Sequence, residues 1–334
     1  MALGWAILGT GRFAGSRAAP ALAKAQECRA AAVISRDRAR AEEFAAEHGL
    51  PAAYETLEEA LSDAEIEAVW VATPHALHRD HVLACARAGR HILCEKPLAT
   101  SVADAQTMVT ACEQAGVRLG TGFHLRHHPF HIEARRLVLD GSLGQVLTAE
   151  AEWSLTPRPE SSSAHWRWDP EASGGGIFTG TGVHAVDLLR FVLGDEIESV
   201  AAISDRVPAS GEVDRSVTCL LRFRGGCQAV VRCARGIRSP ANELLLQGRD
   251  ASVRVRHSLE EQTRGTIEAE GAATRVSGLP AGTDMYALQL DAFALAVREK
   301  RDPDASGVDG LRTTEVTLAV YEAAASGRTV KLDY

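Results

Sequence analysis

Lys96 follows a short apolar run, in His91-Ile92-Leu93-Cys94-Glu95-Lys96-Pro97, where a strand-like segment ends. Near the amino terminus a second apolar run, Trp5-Ala6-Ile7-Leu8, leads into Gly9-Thr10-Gly11-Arg12-Phe13-Ala14 and then a helical pattern from Arg17 to Ala25. Strand, glycine turn and helix in that order are what binding of a dinucleotide pyrophosphate requires. Gly9 and Gly11 let the backbone turn tightly and approach the phosphates, and the helix N-terminus stabilises their charge. Ala14 is an accepted small residue at the third position of the fingerprint. Taken singly, these residues describe an ordinary strand-to-helix turn and a solvated lysine. Taken together they favour chemistry, because ligands bind at the carboxyl ends of parallel strands in an open α/β sheet. There Lys96 could exchange a proton with a hydroxyl whose carbon exchanges hydride with a nicotinamide.

The end of the second strand-like run carries Ser35-Arg36-Asp37-Arg38, with Arg40 close behind. A NAD-binding domain usually places an acidic residue first at this point, to hold the ribose 2′-hydroxyl. A hydroxyl followed by a guanidinium suits a 2′-phosphate instead, so NADP(H) is expected, with NAD as the alternative in which Asp37 reaches the ribose. Two histidine groups, His124, His127, His128 and His131 and then His75, His78 and His81, have spacings that a helix could turn to one face. Pro129 interrupts the first group and no cysteine or carboxylate completes a ligand set, so no metal is expected. His75 and His78 follow Ala72-Thr73-Pro74 and are expected to line the cofactor site or to face water on a helix. Trp166-Arg167 precedes Gly174-Gly175-Gly176, whose close backbone approach could serve another element or a ligand. His184 and Asp187 share a helix face, and His184 reads equally as a buried, satisfied histidine.

The elements that would position these residues fall into two rhythms. From Trp5 to about Gly120, strand-like runs alternate with alanine-rich helical segments, the βαβ pattern of a doubly wound parallel sheet. Thr56 with Glu59 and Ser101 with Asp104 have the spacing of capping boxes. After Gly122 come a helix from about Pro129 to Asp140, a Ser-, Pro- and Trp-rich loop, and a helix near Gly182 to Leu193. Five strand-like runs between Val200 and Arg256 then suggest an antiparallel sheet, and two helical patterns, Tyr286 to Glu299 and Leu311 to Ala325, close the chain. The expected division is a Rossmann domain over 1–122 and an α+β domain with an open, mostly antiparallel sheet over 123–334.

With 334 residues, 46% of them hydrophobic, the chain can bury two cores. The net charge of −8 comes with scattered arginines and no basic run, which argues against a nucleic-acid partner. Seven cysteines, in no C-x-x-C pair, fit a reducing cytoplasm. Neither a leader nor an apolar run long enough to cross a bilayer is expected.

Several further stretches complete a pattern: Leu93 to Ala99, Leu119-Gly120-Thr121 with His124-Leu125-Arg126, Trp166-Arg167, Gly174 to Gly176, His184 with Asp187 to Leu193, and Gly307 to Gly310 with Ala323 to Gly327. In order and spacing they resemble the glucose-fructose oxidoreductase/inositol dehydrogenase (Gfo/Idh/MocA) family of nicotinamide-dependent sugar and polyol oxidoreductases. The resemblance implies that Lys96 lies over the nicotinamide beside Glu95, on a Lys-Pro bond that can be cis and so fix the lysine in a tight turn. It implies Gly9, Thr10, Gly11, Arg12 and Phe13 along the pyrophosphate, Ser35, Arg36 and Arg40 near the 2′-phosphate, and Ala72, Thr73, Pro74, His75, Leu77 and His78 along the nicotinamide side. Gly122, Trp166, Arg167 and Tyr286 would complete the cofactor site, and Lys96, His124, Gly180 and His184 would meet the substrate, with Lys96 and His184 as the catalytic pair. Two positions depart from the pattern. Gly180 stands where members usually carry an aspartate four residues before the histidine, and Gly122 where a close relative would carry asparagine. The expected activity is NADP(H)-favoured interconversion of a carbonyl and a secondary alcohol on a sugar, anhydrosugar or polyol by a homo-oligomer, dimer or tetramer. A dinucleotide-binding ligand sensor without turnover, and a non-redox elimination or hydrolysis using the cofactor transiently, are the alternatives.

Overall fold

The computed structural model describes residues 2–157 and 166–334, which form two compact units. The first holds six parallel strands, β1 (Leu3–Leu8), β2 (Cys28–Ile34), β3 (Ala52–Tyr54), β4 (Ala68–Val71), β5 (His91–Cys94) and β6 (Leu119–Thr121), in the order β3-β2-β1-β4-β5-β6. All residues of β1 and β4 are buried. Such a strand needs cover on both faces, which crossover helices supply, and this is why continuous apolar runs here form a parallel sheet. The crossovers are α1 (Ala19–Lys24), α2 (Arg38–His48), α3 (Leu57–Leu61), α4 (His78–Arg87) and α5 (Val102–Ala115). Thr56 Oγ1 accepts from Glu59 N at 3.2 Å and Ser101 Oγ from Asp104 N at 3.1 Å, the caps expected from the sequence. The helix expected from Arg17 opens instead with a π-helical turn, Ala14–Ala18, directly behind the glycine turn.

The second unit is built on an eight-stranded sheet: β7 (Val146–Glu152), β8 (Ile197–Ser204), β9 (Ser216–Phe223), β10 (Gln228–Ala234), β11 (Leu244–Gly248), β12 (Ser252–Arg256), β13 (Thr266–Glu270) and β14 (Val330–Lys331). Its order is β13-β12-β11-β7-β10-β9-β8-β14, antiparallel except for the parallel pair β7 and β10. β9 alternates exposed and buried residues along its whole length, so one face of the sheet is covered and the other is open. The helices are α6 (Pro129–Leu139), α7 (Pro170–Ser173) and α8 (Val183–Leu193), the last entered through a π-helical turn, Phe178–Gly182. β3, β13 and β14 lay outside the strands expected from the sequence: β3 and β14 are three and two residues long, too short to show a period, and β13 alternates over only five residues at a sheet edge without a fully buried position.

The expected boundary at 122 misses a return of the chain. Helix α9 (Met285–Arg298) and the residues up to Leu311, at the start of α10 (Gly307–Ser326), belong to the first unit, which comprises 1–124 and 284–311. Asp284 caps α9 and pairs with Lys24 of α1 at 2.8 Å, Glu27 N donates to Asp291 at 2.7 Å, and Phe293 packs on Trp5 at 5.2 Å. The 305–306 segment bonds the outer edge of β6, with Thr121 N donating to Ala305 O at 2.8 Å. Pairing of this kind is long-range and leaves no local periodicity to read. One helical run, Pro170–Leu193, is by length and mean composition apolar enough to cross a membrane, but 89% of its most apolar window is buried within the protein.

Candidate active site

The residues expected around a cofactor in the first unit converge on the carboxyl ends of β1, β2, β4, β5 and β6. Gly9 directly follows β1 at φ +117°, and a Cβ there would lie 2.8 Å from the carbonyl oxygen of Ala72, the residue after β4, so only glycine fits. Gly11 is the opposite case. A Cβ there would meet nothing within 4 Å, which leaves open space over the turn where a pyrophosphate would approach the backbone. Phe13, at the start of the π-helical turn, sets its ring edge-to-face on Trp70 at 5.7 Å and on Tyr286 at 5.8 Å. Tyr286 stacks on His124 at 4.2 Å, its hydroxyl 3.4 Å from His124 Nε2. The cap Asp284 fixes the first turn of α9 and thereby Tyr286, and an aspartate just ahead of an apolar helical run is a signal the sequence did carry.

At the end of β2, Thr10 Oγ1 donates to Ser35 Oγ at 3.3 Å, and Arg40 Nη2 donates to the Thr10 carbonyl at 3.4 Å. Asp37 spends a carboxylate oxygen as N-cap of α2, accepting from Arg40 N at 3.2 Å. Arg38 is paired with Glu42 at 2.7 Å, whereas among the described residues no ion pair is formed by the exposed Arg36. The Thr10 and Ser35 hydroxyls and the Arg40 guanidinium are thus joined after β2, with the exposed Arg36 next in sequence to Ser35.

After β5, the Lys96-Pro97 peptide is cis. Trp70 Nε1 donates to Glu95 Oε1 at 3.1 Å, and a Cβ at Gly122 would lie 2.7 Å from that same oxygen. Glycine at 122 therefore makes room for the Glu95 carboxylate, which an asparagine side chain would displace. Trp70 was not singled out from the sequence, since an indole inside an apolar strand gives no sign of its polar partner. Thr73 Oγ1 lies 3.0 Å from His81 Nδ1, while Leu77 is exposed and His75 buried. His78 is 0% exposed, with Nε2 3.0 Å from the Thr73 carbonyl and Nδ1 2.9 Å from the Pro97 carbonyl. Burial pushes its pKa down to about 4.

Trp166, Arg167, Gly180 and His184 belong to the second unit. The Arg167 guanidinium lies 4.5 Å from the centre of the Trp166 ring. His184 packs on Trp153 at 4.9 Å, one turn beyond Gly180. Gly180 lies in the π-helical turn with an ordinary negative φ, and a Cβ there would meet nothing within 4 Å. Asp187 is committed elsewhere, in a buried bidentate pair with Arg126 at 2.8 and 2.6 Å. The glycine triplet is resolved as packing against protein. A Cβ at Gly175 would collide with the Tyr321 hydroxyl and one at Gly176 with the Asp214 backbone. The first histidine group is likewise built into the protein, since His128 Nδ1 accepts from Phe130 N and Nε2 donates to Arg264 O, and His131 bonds Leu125 O and Ser258. Among the described residues no group of three or more His, Cys, Asp or Glu is placed to hold a metal ion.

Comparison with known proteins agrees with this architecture. Residues 3–123 match the oxidoreductase family model with an NAD-binding Rossmann fold, and residues 131–254 match the GFO/IDH/MocA C-terminal domain. The chain is 33% identical to 1,5-anhydro-D-fructose reductase of Ensifer adhaerens over 90% of each chain. It is 31% identical to D-xylose 1-dehydrogenase (NADP(+)) 2 of Haloferax volcanii, covering 98% of this chain and 99% of the relative. The crystal structure of aldose-aldose oxidoreductase from Caulobacter crescentus, complexed with glycerol, superposes with a TM-score of 0.90 at 31% identity, covering 99% of this chain and all of the other. Two family models spanning most of the sequence, on a six-stranded parallel sheet followed by a mixed sheet, establish that the chain belongs to the Gfo/Idh/MocA oxidoreductase family.

Proposed function

We propose that this enzyme interconverts a carbonyl and a secondary alcohol on a sugar, anhydrosugar or polyol, with NADP(H) preferred over NAD(H). The observation that carries the reading is the row of loops along one edge of the parallel sheet, where the glycine turn, the Ser35-Arg36 segment and Lys96 follow β1, β2 and β5. The open space over Gly11 and the Thr10, Ser35, Arg36 and Arg40 cluster fit a dinucleotide with a 2′-phosphate. A nicotinamide, when bound, supplies or accepts hydride. Lys96 supplies or takes the proton at the substrate oxygen, from a loop held against the sheet end. Glu95, fixed by the Trp70 indole, lines the same edge, and Phe13, Tyr286 and His124 form its aromatic side. Gly122 completes the cofactor contacts of the first unit, and in the second unit the family resemblance alone assigns Trp166 and Arg167 to the cofactor and His184, with space at Gly180, to the substrate. The names of the two sequence relatives, a reductase of 1,5-anhydro-D-fructose and a dehydrogenase of D-xylose, support the substrate class.

The reading is tested by NADPH oxidation across a panel of ketosugars and anhydroketoses. Lys96→Ala is expected to lower turnover by about 10²–10⁴-fold with NADPH affinity nearly intact. Arg36→Ala is expected to weaken NADPH selectively over NADH in fluorescence titration. Near-normal turnover in the first variant removes Lys96 from catalysis, and equal affinities for the two cofactors in the wild type remove the 2′-phosphate assignment.

A further inference from the structure

The ring of His78 joins two loops that carry site residues. Its Nε2 faces the carbonyl of Thr73, two residues beyond β4, at 3.0 Å. Its Nδ1 faces the carbonyls of Pro97 and Leu98, directly after Lys96, at 2.9 and 3.3 Å. The ring is fully buried at the first turn of α4, and Leu98 beside it is equally buried, so bulk solvent reaches neither nitrogen. All three partners are acceptors, and a neutral imidazole has one N–H to give. Two carbonyls converge on Nδ1 and one on Nε2, which places the proton on Nδ1, where a lone pair would face the greater repulsion. The firm bond is therefore the one to the backbone that carries Lys96.

We propose that His78 is a positioning residue: by donating from Nδ1 to the Pro97 and Leu98 carbonyls it fixes the backbone on which Lys96 stands, without touching substrate or cofactor through its ring. This rests on the assignment of Lys96 as the proton-transfer group. Displacement of such a group by about 1 Å is enough to lower turnover on the order of 10²-fold while leaving remote binding contacts in place.

Three variants separate this role from simple filling of space. His78→Phe keeps the ring volume and loses the donor; His78→Asn sets an amide N–H near the Nδ1 position; His78→Gln reaches toward Nε2. The expected result is a fall in kcat of about 10–100-fold for His78→Phe, with NADPH affinity within about threefold, and substantial recovery in His78→Asn but not in His78→Gln. Hydrogen exchange at the Lys96, Leu98 and Ala99 amides supplies a readout independent of activity, and is expected to quicken in His78→Phe and to return toward wild type in His78→Asn. Unchanged exchange in His78→Phe overturns the proposal, as does a loss appearing wholly as weakened NADPH binding. Should Lys96→Ala retain turnover, the catalytic assignment fails, and the exchange measurement still decides whether His78 holds this loop.

Discussion

At Gly180 the chain departs from the family pattern it resembles. In the family pattern a carboxylate stands one helical turn before the histidine, and here that place has no side chain. The backbone φ at Gly180 is compatible with any residue and a Cβ would enter open space, so Gly180→Asp is expected to fold normally. We expect this space to admit a bulkier substrate, or one bringing its own polar group, and a new carboxylate to exclude it. Steady-state kinetics on the substrate found by the carbonyl panel should show KM raised by about 10-fold, through steric exclusion and the desolvation of the added charge. An increase in turnover would instead mean that the missing carboxylate had weakened an otherwise standard proton relay. Unchanged kcat and KM would place Gly180, and with it His184, outside the active site.

At the scale of elements, the helix that carries Gly180 and His184 depends on one buried carboxylate. Asp214 accepts from Gly176 N at 2.6 Å, Phe178 N at 2.8 Å and the Tyr321 hydroxyl at 2.7 Å. It therefore satisfies amides at the start of the Phe178–Leu193 run, as an N-terminal cap does, although it lies 36 residues away in sequence from Phe178. Burial, with this carboxylate beside it, holds the Tyr321 phenol protonated well above its usual range. Asp214→Ala would leave two amides and a phenol buried without their acceptor. The expected loss is about 3–5 kcal/mol of unfolding free energy by denaturant titration, set by the desolvation of those groups. Tyr321→Phe should cost less, about 1–2 kcal/mol, since it removes one donor and leaves Asp214 its two amides. Equal losses in the two variants would contradict the capping role.

For the whole molecule, buried histidines set the response to acid. His78 in the first unit and His128 in the second are pushed down from 6.5 to about 4 chiefly by burial, and His81 and His91 are lowered in the same direction and for the same reason. A base whose folded pKa lies below its unfolded one takes up its proton on unfolding. Stability therefore falls as pH drops through 6.5 and the loss is complete near 4, amounting to about 2 kcal/mol at pH 5 for each of His78 and His128. The lowered carboxylates Glu133, Asp63 and Asp140 lose their contribution only as pH falls from their ordinary values, 4.5 for the glutamate and 3.8 for the aspartates, toward the lower folded ones, so the slope between pH 7 and pH 5 belongs chiefly to the histidines. Melting temperatures should fall between pH 7 and pH 5, and His128→Phe should flatten that slope whatever it does to the absolute value; a flat profile in the wild type would refute the assignment. The open face of the second sheet sets the other property at this scale. Ile203 and Leu220 are 79% and 57% exposed on it, beside Glu150 and Arg232, which pair across strands at 3.2 Å. We expect a second copy of the chain to cover this face. Sedimentation velocity of Ile203→Asp should then show a smaller species than the wild type.

The sequence alone determined what depends on local order. An apolar run, glycines at fixed spacing and a helical pattern specify a strand, a turn and a helix, and so the Rossmann half, the glycine turn, the Ser35-Arg36 segment and Lys96 at a strand end were legible. The caps at Thr56 and Ser101 were legible for the same reason, because a cap is a contact between residues three apart. The tertiary structure decided what depends on partners distant in the chain. Asp187 lies on the His184 helix as its spacing implies, yet pairs with Arg126; Glu95 is held by Trp70; the glycine triplet closes on Tyr321 and Asp214; and the segment 284–311 returns to the first unit. A side chain's sequence neighbours fix the face on which it stands, but the group it meets there is supplied by folding, and burial then sets the strength of that meeting.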